Sequence, residues 1–390
     1  MKQFFLSIAL TCSAISFGQK PETVYSIAME VRAESWYQQQ MQLWKAETDK
    51  DKHNGTAWTN YYMAARALRN ISEDPEKHES YRKKCDEIVA ELHQSYPDSF
   101  EDYYLTYANN GDPGKTELLM KAAAINPHDE RILDEMLIQK TINFDQAGFD
   151  SYSSEMFKQN QMPAALLNWG HNILSELDEN AILFTCGDND TYAAWINQGA
   201  FGFRKDVTVI NTSLILIDDY RDKLFKKLGL PSFNRKFEGS DYNAFSNLIY
   251  QHIVAGKMWP VYVSNTAVTV FPEAFQSNLY LTGLSHRYSQ TPLETGDLIV
   301  RNYESRYLTD YLKQSFSWHF ADEKSKEFNS MYLPSMIKLY HHYAQTEEET
   351  KRQKTGQLLL KIAEESGRKT EVLELMKPEN NSTPAPKSGK

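Results

Sequence analysis

The chain has 390 residues, with 42 Lys and Arg against 52 Asp and Glu and a formal net charge of −10. That balance argues against nucleic acid and anionic lipid as partners, because both need a basic face. Aromatic residues make up 13% of the chain, with tyrosine abundant. This is enough for large packed cores or for polar-aromatic grooves, and composition does not choose between them.

The first 18 residues read as a signal peptide. Lys2 supplies a positive start, Phe4–Ile15 is mostly apolar, and Ser16-Phe17-Gly18 ends in small residues, so cleavage is expected before Gln19. The apolar stretch falls short of the about 20 residues of a spanning helix. Thr11 precedes Cys12 where a lipoprotein would carry a small residue, so lipidation is disfavoured. No later stretch is apolar enough to cross a bilayer, and the mature chain is expected to be soluble and periplasmic. Cys85 and Cys186 lie far apart in sequence and are expected to be unpaired buried thiols.

Residues 19–160 read as a helical domain. Trp58, Tyr61, Tyr62, Ala65 and Leu68 share one helix face, and Ile88, Leu92 and Tyr96 repeat that spacing. Leu118, Leu119, Ala122, Ala123 and Ile125 form another apolar face, which Asn126-Pro127 stops before a helix over 132–138. This helix–turn–helix pattern resembles tetratricopeptide repeats, which build concave surfaces for peptides or proteins. Gly111–Thr116 imitates a phosphate loop. Asn109 stands where that motif needs its first glycine, and the segment follows a helix instead of a strand, so a helix–helix turn is expected.

Residues 161–302 alternate strands (181–186, 207–214, 260–264, 279–286) with helices (163–177, 191–199, 219–228, 241–256, 272–277). Such alternation predicts a mainly parallel, Rossmann-like sheet covered on both faces. Residues 303–376 return to helical periodicity, and 377–390 form a Pro-, Ser-, Asn- and Lys-containing tail expected to be disordered. The fold class is therefore α/β plus all-α: a Rossmann-like parallel-sheet domain flanked by an N-terminal helical-repeat segment and a C-terminal helical one.

The densest polar group follows the first buried strand, in Gly187-Asp188-Asn189-Asp190-Thr191. Ligands of parallel sheets gather beyond the carboxyl ends of the strands. Asp188, Asn189 and Asp190, with Asn211 and Asp218 from the next strand end, could hold a ligand or a hard cation. The same aspartates could instead cap the helix starting near Thr191 and hold the turn, with Asp190 the better cap and Asp188 the better site candidate.

Residues 181–288 resemble the soluble C-terminal portion of a Bacteroidota family of multi-pass membrane proteins. That family is of unknown function and resembles protein O-mannosyltransferases. The matching residues are Gly187–Thr191, Trp195, Arg204, Asp206-Val207, Val209, Asn211, Ser213-Leu214, Asp218, Tyr220, Pro260–Tyr262, Gly283-Leu284 and Arg287. Asp219 and Ala193 depart from the pattern. The resemblance implies a shared fold and an envelope setting. It does not carry over transferase activity, because this chain has no membrane helices after the signal. Arg204 joins the candidate ligand-binding set because it matches the pattern, while Arg287, Arg301 and Arg306 are expected to form surface ion pairs.

The histidines are scattered. His341-His342 point to different sides of a helix, and His286 reads as a solvated or hydrogen-bonded strand residue. There is no H-E-x-x-H and no G-x-S-x-G. No cofactor is named by the sequence. The expected function is a binding or scaffold module for an envelope protein, peptide or glycan, in peripheral association with a membrane complex. The alternative is a metal-assisted enzyme acting on a sugar or phosphate group at the Gly187–Asp190 strand end.

Overall fold

A computed structural model describes residues 20–110, 115–236, 241–256, 258–316 and 318–377. The expected signal segment 1–18, the Gly111–Gly114 part of the phosphate-loop imitation and residues 378–390 of the expected tail lie outside the described residues. The chain divides into two compact units between Ile125 and Asn126, with Ala28–Glu30 belonging to the second. Among the described residues it is mostly helical, with one small mixed sheet. None of the described helices is long and apolar enough to cross a membrane. Cys85 and Cys186 are free thiols.

The regular elements described in the first unit are helices: α1 (Glu34–Lys50), α2 (Gly55–Ile71), α3 (Pro75–Ser95), α4 (Phe100–Asn110) and α5 (Thr116–Ile125). Asn54 caps α2 by accepting from the Ala57 N–H, and Asp74 caps α3 ahead of Pro75 at the first helical position. The apolar face read along α2 is the centre of this unit. Trp58, Tyr61, Tyr62 and Ala65 pack with Cys85, Ile88 and Leu92 of α3 and with Leu105 of α4. The next face of α2, Ala64, Ala67 and Leu68, packs with Tyr37 of α1 and with Val24, whose N–H donates to Asn60 Oδ1 at 2.7 Å.

The second unit opens with α6 (Leu133–Ile142), α7 (Gln146–Lys158) and α8 (Ala164–Glu176). Then come β1 (Ile182–Thr185), α9 (Asp188–Phe201), β2 (Thr208–Asn211), α10 (Asp218–Leu228), α11 (Tyr242–Ala255), β3 (Val261–Ser264), α12 (Glu273–Gln276), β4 (Leu279–Leu281) and β5 (Ser285–Tyr288). It closes with α13 (Gly296–Arg301), α14 (Asp310–Lys313), α15 (Asp322–Ser330), α16 (Leu333–Gln345), α17 (Glu349–Glu365) and α18 (Lys369–Leu375).

The sheet order is β2-β1-β3-β5-β4. β1 pairs in parallel with β2 and with β3, in register Phe184↔Ile210 and Phe184↔Val263. Side chains alternate between faces, as the strand pleat requires. Leu183, Val209 and Tyr262 enter the core that holds Trp169 of α8 and Trp195 of α9. Ile182, Phe184, Ile210 and Val263 enter the opposite core, with Tyr220 and Leu224 of α10 and Ile249 and Tyr250 of α11.

Two sequence expectations are corrected here. The single strand 279–286 is a hairpin, β4 and β5, and β5 runs antiparallel to β3, so the sheet is mixed. The break falls at Gly283, where a Cβ would run into the Tyr307 hydroxyl and Glu176 Oε2. The second correction concerns α9. It begins at Asp188, not near Thr191, because Gly187 takes the N-cap position with a φ of 99°. Only glycine adopts that backbone readily.

Candidate functional site

The carboxyl ends of β1, β2 and β3 meet in a network of short polar side chains. Asp190 lies in the first turn of α9 and is fully buried. Its side chain turns back to the strand it follows. Oδ2 accepts from the Cys186 N–H at 2.7 Å and from the Thr266 hydroxyl, and Oδ1 accepts from the Thr191 N–H at 2.8 Å. An acid in a helix's first turn that bonds backward resembles the reciprocal half of a capping box. Burial pushes the Asp190 carboxyl up to about 7, while the bonds from Thr266, Cys186 and Thr191 pull the other way. Asp190 therefore does not cap α9 in the expected way. It ties α9 to β1 and to the loop after β3.

Asn211 does the same for β2. Its Nδ2 donates to the Gly187 carbonyl at 3.1 Å and to Thr191 Oγ1 at 3.0 Å, and its Oδ1 accepts from the N–H groups of Ser213 and Leu214 at 2.9 and 3.2 Å. Thr191 Oγ1 in turn donates to the Gly187 carbonyl at 2.7 Å and shares a bond with Thr185 Oγ1 at 2.8 Å. Ser264 and Thr266 extend the network across β3 through a 2.8 Å hydroxyl contact. Thr185, Thr191, Ser264 and Thr266 were absent from the sequence-read set. The signal for the last two was available: a polar tripeptide, Ser264-Asn265-Thr266, ends a buried strand just as 187–191 does.

The other candidates separate. Asp188 is exposed beside exposed Gly187, and Asn189 is half-buried, its Nδ2 donating to the Ala28 carbonyl at 2.9 Å. Asp218 is not brought to this network by any bond. It pairs at 2.5 Å with Arg221, a buried guanidinium that also donates to the carbonyls of Ile215, Leu216 and Arg235 and stands over the rings of Phe233 and Phe245. A buried cation needs such a partner.

Arg204 lies at the opposite, amino end of β2. Nε and Nη2 fork onto Asp206 at 2.8 Å each. Nη1 donates to the carbonyls of Leu174 and Leu177, and Nη2 to that of Asp178, all at 2.8–2.9 Å. A guanidinium has five N–H donors, and every one is occupied in tying the end of α8 to the start of β2. The Arg204 fork holds Asp206 down to about 2. Arg204 thus builds the fold and does not join the strand-end cluster.

A second buried carboxylate escaped the sequence reading. Glu176 accepts from the Leu284 N–H at 2.9 Å and from the hydroxyls of Ser285 and Tyr307. Burial raises its carboxyl above the ordinary range. It pins the β4–β5 turn to α8. Of the remaining groups, Arg287 pairs with Asp178 at 3.0 Å, and burial lowers His286 to about 4, keeping its ring neutral.

Residues 166–252 match the family model TMEM260-associated domain 2. The match runs from α8 through α11, so it contains β1, the Asp188–Asp190 turn, Arg204, Asn211 and Asp218. The segment is similar to TMEM260-like proteins, and the match spans less than half of the chain. No curated protein and no solved structure matches.

The donor set does not fit a hard cation. Asp190 is committed to three donors, Asn211 to four partners and Asp218 to Arg221. Among the described residues, no group of three or more His, Cys, Asp or Glu side chains is placed to share a metal. Asp190 is also out of reach of any substrate, and a general acid or base must touch the atom it serves. What faces outward is Asp188 with the edge of Asn189, held on a rigid base.

Proposed function

We propose that this chain is an exported, soluble protein of the periplasm that acts as a binding or scaffold module. The observation that carries the reading is the division within one turn. Asp190 is fully buried and bonded to strand and loop, while its neighbour Asp188 is exposed on the same frame. A carboxylate on a fixed backbone recognises donors at low entropic cost. In this reading the ligand is a partner protein, peptide or glycan offering hydroxyl or amide donors. The finer architecture supports it: a Rossmann-like parallel core of β1–β3 with its ligand at the strand ends, and tetratricopeptide-like helices that hold a partner protein. The likeness to envelope proteins that resemble O-mannosyltransferases favours a glycan-handling setting and peripheral association with a membrane complex. Metal-assisted catalysis has less support, because the oxygens it needs are already bonded.

The test uses the tagged full chain, captured from intact envelopes, as wild type, Asp188→Asn and Asp219→Asn. Asp219 is an exposed control that pairs with Lys223. Wild type and D219N are expected to recover the same defined complex. D188N is expected to lose it without a change in melting temperature. Equal recovery by all three would remove Asp188 from the interface.

A further inference from the structure

β2 is an end strand of the sheet, and its outer edge is not left bare. The segment joining α6 to α7 and this edge line one cavity of about 250 Å³. Phe144 forms one wall. It follows the Asn143 C-cap of α6 with a φ of 56°, a left-handed backbone that side chains rarely adopt. The turn is closed by the Phe144 N–H on the Thr141 carbonyl and the Asp145 N–H on the Lys140 carbonyl. A glycine would suit this position better, and a phenylalanine here aims a ring at the cavity at the cost of backbone strain.

The ring meets Tyr220 at 5.8 Å between centroids, and Phe149 and Trp195 meet at 6.0 Å on the adjoining wall. Three lysines stand around this aromatic lining in a chain of net negative charge. Lys140 pairs with Asp145 at 3.0 Å and Lys205 with Asp150 at 2.9 Å. Such half-exposed pairs are weak and exchange readily. Lys227 has no carboxylate partner among the described residues and sits 5.7 Å above the Phe144 ring. Backbone polarity is also on offer. Thr208 and Thr212 donate inward to β1, so the alternating Val209 peptide groups turn to the free edge that borders the cavity.

We propose that this cavity binds a small planar-ring anion. The ring packs on Phe144 beside the Phe149 wall, and its carboxylate or phosphate is held by Lys227 with help from Lys140 and Lys205. The volume lies below the about 300–1,000 Å³ of drug-sized sites, which limits the ligand to one ring with a charged substituent. This site is separate from the Asp188 rim and does not depend on it.

The test is isothermal titration of the full chain with benzoate, phenyl phosphate, benzyl alcohol, glucose 6-phosphate and inorganic phosphate. Benzoate or phenyl phosphate should bind saturably and at least about tenfold more tightly than neutral benzyl alcohol, since a charge-assisted contact is at stake. Lys227→Met should weaken binding by about tenfold or more with an unchanged melt, because Lys227 is exposed. Phe144→Gly should abolish binding; relief of the left-handed strain and loss of the ring's packing on Tyr220 act in opposite directions on the melt, so binding is the readout for this variant. Equal binding of inorganic phosphate or glucose 6-phosphate would overturn the planar-ring assignment. Absence of saturable binding by both aromatic anions, or binding unaffected by K227M, would overturn the site.

Discussion

The two ends of one small sheet use charge in opposite ways. At the amino end, Arg204 satisfies carbonyls left open where α8 finishes, and it is itself satisfied by them and by Asp206. All its donors are used, and nothing is left for a ligand. At the carboxyl end, Asp190 satisfies N–H and O–H donors around the start of α9, and again its capacity is used. The difference lies in what each leaves outside. The Arg204 end presents a closed ion pair, whereas the Asp190 end presents Asp188 on a braced turn. Both positions belong to the same sequence pattern, so the pattern alone does not separate construction from recognition. What separates them is burial: Arg204 and Asp190 have their bonding groups taken up inside the fold, while Asp188 stands exposed.

The comparison breaks most readily at Arg204. Arg204→Leu should destabilise the second unit by about 3 kcal/mol, because several carbonyls lose their donors and Asp206 loses its partner. Arg204→Lys should recover only a minor part, since an ammonium lacks the planar fork. Chemical denaturation measures both, and a loss below about 0.5 kcal/mol for R204L would contradict the structural role.

The next effect is pH-dependent and belongs to Asp190. Its folded carboxyl is raised to about 7, well above the ordinary aspartate value of 3.8. The folded state therefore holds this proton over a range where the unfolded chain has released it. The stability linked to it is complete below about pH 4 and is lost as pH rises through about 7. Glu176, raised by burial, adds a slope of the same sign, and His286, lowered to about 4, adds one of opposite sign. The difference between wild type and Asp190→Asn isolates the Asp190 share. From pH 5 to pH 8, wild type should lose about 2–3 kcal/mol relative to D190N. Parallel stability–pH curves for the two would show that the carboxyl is already ionised at pH 5.

Asn211→Ala should cost about 1–2 kcal/mol, for it leaves the N–H groups of Ser213 and Leu214 and the Gly187 carbonyl to find other partners. A melt unchanged within error would place those bonds outside the folded state's energetics.

How much of this could be read from residues alone follows from the range of each interaction. The α2 face was legible because its spacing is local, and Trp58, Tyr61, Tyr62, Ala65 and Leu68 are all buried. The β1–β2 pair was legible because short apolar runs flank a single helix. The β4–β5 hairpin was not, since only Gly283 interrupts a continuous apolar–polar run, and what forbids a side chain there is Glu176 and Tyr307 from distant segments. Asp190 and Asn211 were found, yet their partners, above all Thr266, come from a strand far along the chain. Arg204 joined the ligand set on the family pattern alone, and a pattern match does not say whether a residue builds the fold or the site; its partners, the carbonyls of Leu174, Leu177 and Asp178, come from the end of α8. The β2-edge cavity left no local mark at all. It is assembled from α6, α9 and α10, and its key wall is a phenylalanine where a helix exit usually shows glycine.

The smallest effect on stability carries the largest meaning. Asp188→Asn keeps the shape of the exposed side chain and supports the same turn, so it should shift the melt by less than about 0.5 kcal/mol equivalent. The decisive measurement is that melt taken together with capture of the envelope complex by the same D188N protein. Unchanged melting with lost capture is the predicted result. Unchanged melting with full capture would contradict the claim that this turn is braced by Asp190 in order to present Asp188.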